Sequence, residues 1–379
     1  MARRSRGLLT GYFLGLGAVM AVWGTRMPAV QQAAHLSTAH LALVLLAAAL
    51  GMVAGLQTAG RLARPTRLPA LLTSGAAGLA GCLALLGQCD SLPSLLTAAL
   101  AFGVAHGVLD VAANSAAVRC QNAYGRPIMS GLHAAYSIGA LAGAALAAVT
   151  AHTAHSTLFL ATGLVLTGAA LIAAPATRSL NGTDQPPAPA NLGQGEARPA
   201  LSSRQLWLLG ALAASSLLGE GAAADWAAVH LHSLDASTAV SAAAFALYSG
   251  AMTTGRLAGD RLTTAFGAPG VVRVGAILAA AGLTTGVVTS STPLALAGWA
   301  VFGLGLSITV PCLISAAGVG GPRAVATVAV TGYLGLLAGP ALIGALATVT
   351  TLSTALLLPA LLAAAVAALS HRALENTSP

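Results

Sequence analysis

Residues 39–60 read AHLALVLLAAALGMVAGLQTAG, a stretch with no formally charged side chain, and Arg61, Arg64 and Arg67 follow at once. A helix needs about 20 predominantly apolar residues to cross the hydrocarbon of a bilayer. Residues 39–60 meet that length, and the arginines after them mark a cytoplasmic end. The rest of the chain repeats the pattern. Of its 379 residues 56% are hydrophobic and 7% are charged, too few to cover a water-soluble surface. Disorder is excluded by the same figures. Aromatics at 4% and the absence of period-two alternation exclude an outer-membrane barrel. What remains is an all-α membrane protein.

Candidate spans lie at 8–27, 39–60, 69–88, 92–116, 130–151 and 156–174, and then at 205–229, 238–258, 269–289, 293–317, 323–347 and 352–370. They number twelve, in two sets of six. The first follows Arg3, Arg4 and Arg6 and so has the flanks of a signal peptide, but eleven further spans argue that it is retained. All 17 basic residues are arginine, and an N-terminus in the cytoplasm puts every one except Arg26 on the cytoplasmic side. Both termini are therefore expected inside. The polar segment 175–204, with its run Asn181-Gly182-Thr183-Asp184-Gln185-Pro186-Pro187-Ala188-Pro189, reads as a flexible cytoplasmic linker. It separates a bundle over 1–174 from a bundle over 205–379. The net charge of +8 is spread singly between apolar stretches, which argues against a nucleic-acid partner. Cys82, Cys89, Cys120 and Cys312 form no CxxC pair, and neither metal nor cofactor is expected.

An internal repeat links the halves. Ser37-Thr38-Ala39 opens the second span and Ser237-Thr238-Ala239 the eighth; Gly60-Arg61-Leu62-Ala63 ends the second and Gly255-Arg256-Leu257-Ala258 the eighth. The offsets are 237 − 37 = 200 and 255 − 60 = 195, so the two pairs disagree by five residues.

Six plus six spans around a central linker, with this repeated signature, resemble the major facilitator superfamily. Gly255-Arg256-Leu257-Ala258-Gly259-Asp260-Arg261, followed by Phe266-Gly267, is similar to that family's cytoplasmic loop motif. In the first-half copy Arg64 stands where the acid would be. Two longer stretches narrow the resemblance: residues 107–133, containing GVLDVAAN and GRPIMSGLH, and residues 220–226, EGAAADW. With Trp23-Gly24-Thr25-Arg26-Met27-Pro28 they resemble a bacterial branch related to fucose permeases. The resemblance implies twelve helices in two pseudo-symmetric bundles, a multi-pass protein of the bacterial inner membrane, and secondary transport.

Ionisable residues inside a membrane are functional candidates by default. His106, Asp110 and Asn114 recur every four residues, on one helical face flanked by Gly103 and Gly107. The face lines an aqueous cavity or, on the alternative reading, Asp110 is structural glue bonded to Asn114. In fucose permeases an acid on the fourth helix is associated with proton coupling, and Asp110 matches it in helix and residue type. Glu220, between Gly219 and Gly221, reads as a substrate or coupling residue at a locally broken helix. Asp225 and Arg26 fall near the outer ends of the seventh and first spans, where a salt bridge between them would form an outer gate. Asp260, with Gly255, Arg256 and Arg261, reads as a cytoplasmic gate in a loop, its carboxylate set against the N-terminus of the eleventh span. His133 is either a satisfied structural donor or a proton relay. Gly303, Gly305, Ser307, Thr309 and Pro311 permit a bend in the tenth span.

The function these residues support is secondary transport of a small organic solute, proton-coupled, by alternating access of a monomer embedded in the lipid bilayer. Without lysine no GxxxxGK[ST] loop exists to bind ATP. The alternatives are a sensor that keeps the fold without transporting, and a membrane-embedded enzyme. The enzyme would need clustered catalytic groups that the loops do not show.

Overall fold

The computed structural model describes residues 2–180 and 201–375, and all its regular elements there are helices. The first part holds α1 (Ala2–Thr25), the short α2 (Met27–Ala33), α3 (Thr38–Leu62), α4 (Leu68–Leu86), α5 (Leu92–Tyr124), α6 (Met129–Val149) and α7 (His155–Thr177). The second holds α8 (Ser203–His232), α9 (Thr238–Phe266), α10 (Ala268–Val288), α11 (Thr292–Leu306), α12 (Thr309–Ala317), α13 (Gly321–Val349), α14 (Leu352–Ala355) and α15 (Leu357–Leu374).

Among the described residues, 10 stretches are long and apolar enough to cross a membrane. One of them, Thr292–Val349, runs for 58 residues and takes in α11, α12 and α13, so it covers two of the spans read from the sequence. The helix α9 is long enough at 29 residues but, rich in serine, threonine and glycine, it falls outside the ten.

The linker expected from residue 175 starts later. Pro175 lies inside α7, a 3-10 turn continues over Arg178–Leu180, and α8 begins at Ser203. Residues 181–200, with the Asn181–Pro189 run, lie outside the described residues.

The serines of the repeat are helix caps. Ser37 accepts from the His40 amide at 3.1 Å and Ser237 from the Val240 amide at 3.4 Å, each satisfying an N–H that the first turn leaves free. Two residues before each cap the backbone turns left-handed, at His35 (φ 49) and Asp235 (φ 58). The chain thus enters α3 and α9 by the same turn, 200 residues apart. Measured from that turn, the two Gly-Arg-Leu-Ala copies are not equivalent. Arg61 is exposed in the last turn of α3, whereas Arg256 lies further up α9 and is 6% exposed. The five-residue disagreement in offset is a real displacement of about 1.4 helical turns towards the helix interior.

Two compact units arise from the contacts. One gathers described residues up to 125, then 135–180 and 321–326; the other gathers 126–134, 201–320 and 327–375. In the first, α3 and α5 pack backbone to backbone. Gly51 and Gly55 face the main chain of Leu100 and Val104, while Gly103 and Gly107 face that of Ala48 and Met52. A methyl group at any of these four would collide with backbone, which explains small residues at four-residue spacing. In the second unit a core of α8, α9, α10, α11 and α15 closes around Trp299 and Phe302, both fully buried.

Candidate functional site

In the first unit the polar face of α5 is buried: His106 is 5% exposed, Asp110 8% and Asn114 2%. The packing of Gly103 and Gly107 on α3 holds this helix in place. Asn114 donates through Nδ2 to the main-chain oxygen of Asp110 at 2.9 Å and to its carboxylate Oδ1 at 3.3 Å. The amide oxygen of Asn114 and the hydroxyl of Ser115 are buried with no hydrogen-bond partner among the described residues. Trp23 of α1 packs its ring 4.8 Å from that of Phe102, one turn before His106, and its indole N–H is likewise buried without a partner. Buried polar groups are nearly always satisfied in native proteins, so the orphaned Asn114 oxygen and the adjacent Ser115 hydroxyl mark a place for water or a polar ligand.

In the second unit the charge sits elsewhere than the sequence indicated. Glu220 does not break its helix: α8 runs continuously from Ser203 to His232. Gly219 and Gly221 serve packing instead, the first against the Phe302 ring and the second against the Leu336 carbonyl. The break comes in the tenth expected span, where α11 ends at Leu306 and α12 starts at Thr309. Pro311 has no N–H to donate to the Ser307 carbonyl four residues back, and that carbonyl is left without its helical partner. Arg256 fills the gap. Its Nε donates to the Ser307 oxygen at 3.4 Å, and its Nη2 donates to Glu220 Oε1 at 3.3 Å. Gly255, the residue before it, lets α9 approach the Ser307 side chain. Tyr248, two turns earlier on α9, is within electrostatic reach of both charges, and its hydroxyl is buried without a partner among the described residues. His133, at the start of α6, is within electrostatic reach of Arg256.

Arg256 is thus no loop residue, and the expected cytoplasmic loop over 255–267 is the last turns of α9. Only Gly267 (φ 73) separates α9 from α10. Asp260 binds the N-terminus of α6: its Oδ1 accepts from the Gly131 amide at 3.1 Å. The amides of a first turn lack helical acceptors and carry the positive end of the macrodipole, which suits a carboxylate. Gly259 makes the approach possible, since a methyl there would strike Ser130. Arg261 is exposed.

Arg26 donates through Nη1 and Nη2 to the main-chain oxygens of Ala147, Thr150 and Ala151, at the C-terminal end of α6. These oxygens lie in and just beyond the last turn of α6, at the negative pole of its dipole. Asp225 is exposed on α8. Two residues on from Asp225, α8 turns inward, and His230 is fully buried with its Nδ1 accepting from Trp299 Nε1 at 3.3 Å. Among the described residues no group of histidine, cysteine, aspartate or glutamate side chains gathers to hold a metal.

The sequence reading missed Ser307 as a ligand of Arg256 and gave Tyr248 no part. The cap at Ser237 was the available signal: counting from it places Arg256 well inside the helix, where hydropathy and motif likeness placed it at a surface.

Long apolar helices in this number define a multi-pass integral membrane protein. The family model of the Major Facilitator Superfamily matches residues 8–323, and the chain belongs to that family. It is a transporter rather than an enzyme. It is 32% identical to the uncharacterised transporter y4wD of Sinorhizobium fredii, with 96% of this chain and 97% of that protein covered. The membrane protein MosC of Rhizobium meliloti is 29% identical, covering 90% of this chain and 83% of that one. Among solved structures, FucP in the outward conformation superposes with a TM-score of 0.79 at 17% identity, covering 99% of each chain. The human organic anion transporter MFSD10 superposes with a TM-score of 0.75 at 15% identity, covering 97% of this chain and 99% of that one.

Proposed function

We propose that this protein is a proton-coupled secondary transporter of a small organic solute, working by alternating access. In this reading twelve spans form two six-helix bundles, over 1–174 and 205–379, with both termini on the cytoplasmic face of a bacterial inner membrane. The structural neighbours include a fucose:proton symporter and a proton:xylose symporter, which supports coupling to protons.

The observation that carries the proposal is the Asp110–Asn114 pair. Asn114 offers Nδ2 to the ionised carboxylate; turned by half a rotation, it offers its unpartnered Oδ1 to a protonated one. Asp110 therefore has a partner in either protonation state, as a proton carrier needs. Glu220 differs, because it is engaged in a charge pair with the buried Arg256, which favours its ionised form. Glu220 and Arg256 are assigned to the substrate cavity, with His133 as a neighbour, and His106 is assigned with Asp110 and Asn114 to the polar face of α5. Arg26 and Asp225 are assigned to the outer gate, and Asp260 with Gly255 and Arg261 to the cytoplasmic one. Flux into proteoliposomes with and without an imposed pH gradient tests the proposal. Accumulation that ignores the gradient would remove the proton.

A further inference from the structure

One face of α1 is not used for packing. Gly17 is pressed against the main chain of Tyr136 and Ala140 in α6, yet at Gly7, Gly11 and Gly15 an added methyl would meet nothing. Each glycine inside a helix costs about 1 kcal/mol relative to alanine. Where close packing does not explain it, another use of the space should.

The three glycines open onto a cleft of about 550 Å³ walled by α1, α4 and α7, with Ala80 and Ala173 opposite. Its lining is almost entirely apolar, and Tyr12 holds it in shape. The Tyr12 hydroxyl bonds Thr177 of α7 at 2.8 Å and Thr73 of α4 at 3.5 Å, tying the three helices together. At the N-terminal mouth stands Arg4, exposed and with no hydrogen bond or ion pair among the described residues. From Gly7 to Val19 the cleft follows α1 for about 18 Å. That is close to one leaflet of a hydrocarbon core about 30 Å thick.

We propose that this cleft binds an anionic phospholipid, one acyl tail lying along Gly7, Gly11 and Gly15 and the phosphate meeting Arg4. Depth and polarity match a tail, and the unpaired cation at headgroup level matches the charge. A cation near the membrane surface is worth about 1 kcal/mol towards anionic lipid, or about fivefold in occupancy.

The test uses the full-length protein in detergent, with phosphatidylglycerol or phosphatidylcholine of identical tails, and counts retained lipids by native mass spectrometry. The wild type should retain phosphatidylglycerol about fivefold over phosphatidylcholine. Arg4→Gln should abolish that preference and still hold both lipids. Gly11→Leu should reduce both, with an unchanged unfolding temperature in lipid-free detergent, because its side chain enters open space. Should it fail to fold, Gly7→Leu and Gly15→Leu take its place. Equal retention of the two lipids by the wild type overturns the headgroup contact, and undiminished retention by the leucine variants overturns the site. Competition by glycerol phosphate alone would show a headgroup site without a tail. Loss of a dimer rather than of lipid in Gly11→Leu would give the cleft to a second copy. Either result would also overturn the proposal.

Discussion

Arg256 stands 3.3 Å from Glu220 and donates to the main-chain oxygen of Ser307 at 3.4 Å, so one guanidinium ties α8 and α9 to the break between α11 and α12. The break depends on Pro311, which withholds the N–H that Ser307 would otherwise accept. Pro311→Ala returns that N–H, and the two short helices are expected to join. Arg256 would lose its carbonyl, and transport should fall while the protein stays folded. Unchanged flux would reduce the break to a packing feature.

Glu220→Gln removes the carboxylate that pairs with the buried Arg256. Removing one member of such a pair costs about 3–5 kcal/mol. Arg256→Gln is expected to cost a similar amount, and the double variant less than the sum by about 1–3 kcal/mol. Unfolding of the three variants in detergent measures the coupling. Additive losses would mean that the pair contributes nothing as a pair.

Asp260→Asn keeps the shape of the residue but removes the charge facing the first turn of α6. Charge at a helix N-terminus is worth about 0.3–1 kcal/mol, more when partly buried. A cysteine introduced at Ser130 should then react about two- to fivefold faster with a water-soluble maleimide. An unchanged rate would show that the carboxylate does not hold that turn.

Arg26 binds carbonyl oxygens at the end of α6, where its charge also meets the negative pole of the helix dipole. Arg26→Gln should loosen the end of α6 and raise hydrogen exchange there. A charge swap, Arg26→Asp with Asp225→Arg, separates anchoring from pairing: the anchored guanidinium predicts additive losses, and recovery of transport would favour the salt bridge.

The membrane class of the fold was legible because hydrophobicity is a bulk property, and the starts of the second and eighth spans at Ser37 and Ser237 were legible as a repeat, although not as the caps they form. Whether Gly219 and Gly221 break a helix or pack it was not legible, since a glycine does either and only the Phe302 and Leu336 neighbours decide. Arg256 was assigned to a surface loop by likeness to a motif, although its distance from Ser237 placed it inside α9. The contact of Asp260 with the first turn of α6 was not legible, since which first turn lies near a carboxylate depends on tertiary packing. On α5 the spacing foretold the Asn114 to Asp110 contact, but not what the face lines, because residues 109–118 are buried on every side.

That stripe carries the decisive experiment. Asp110→Asn fixes a side chain that cannot exchange a proton but still accepts from Asn114, so the local packing is preserved. If Asp110 carries the coupling proton, the variant should lose accumulation driven by a pH gradient while exchange of solute across the membrane persists. Asn114→Ala should weaken both, because it removes the one amide side chain that can bond the acid in either protonation state. Glu220→Asp, which keeps its charge, should retain gradient-driven uptake. Flux into proteoliposomes under an imposed pH gradient distinguishes these outcomes. Uphill accumulation by Asp110→Asn would move the coupling role to Glu220 or remove the proton from the cycle.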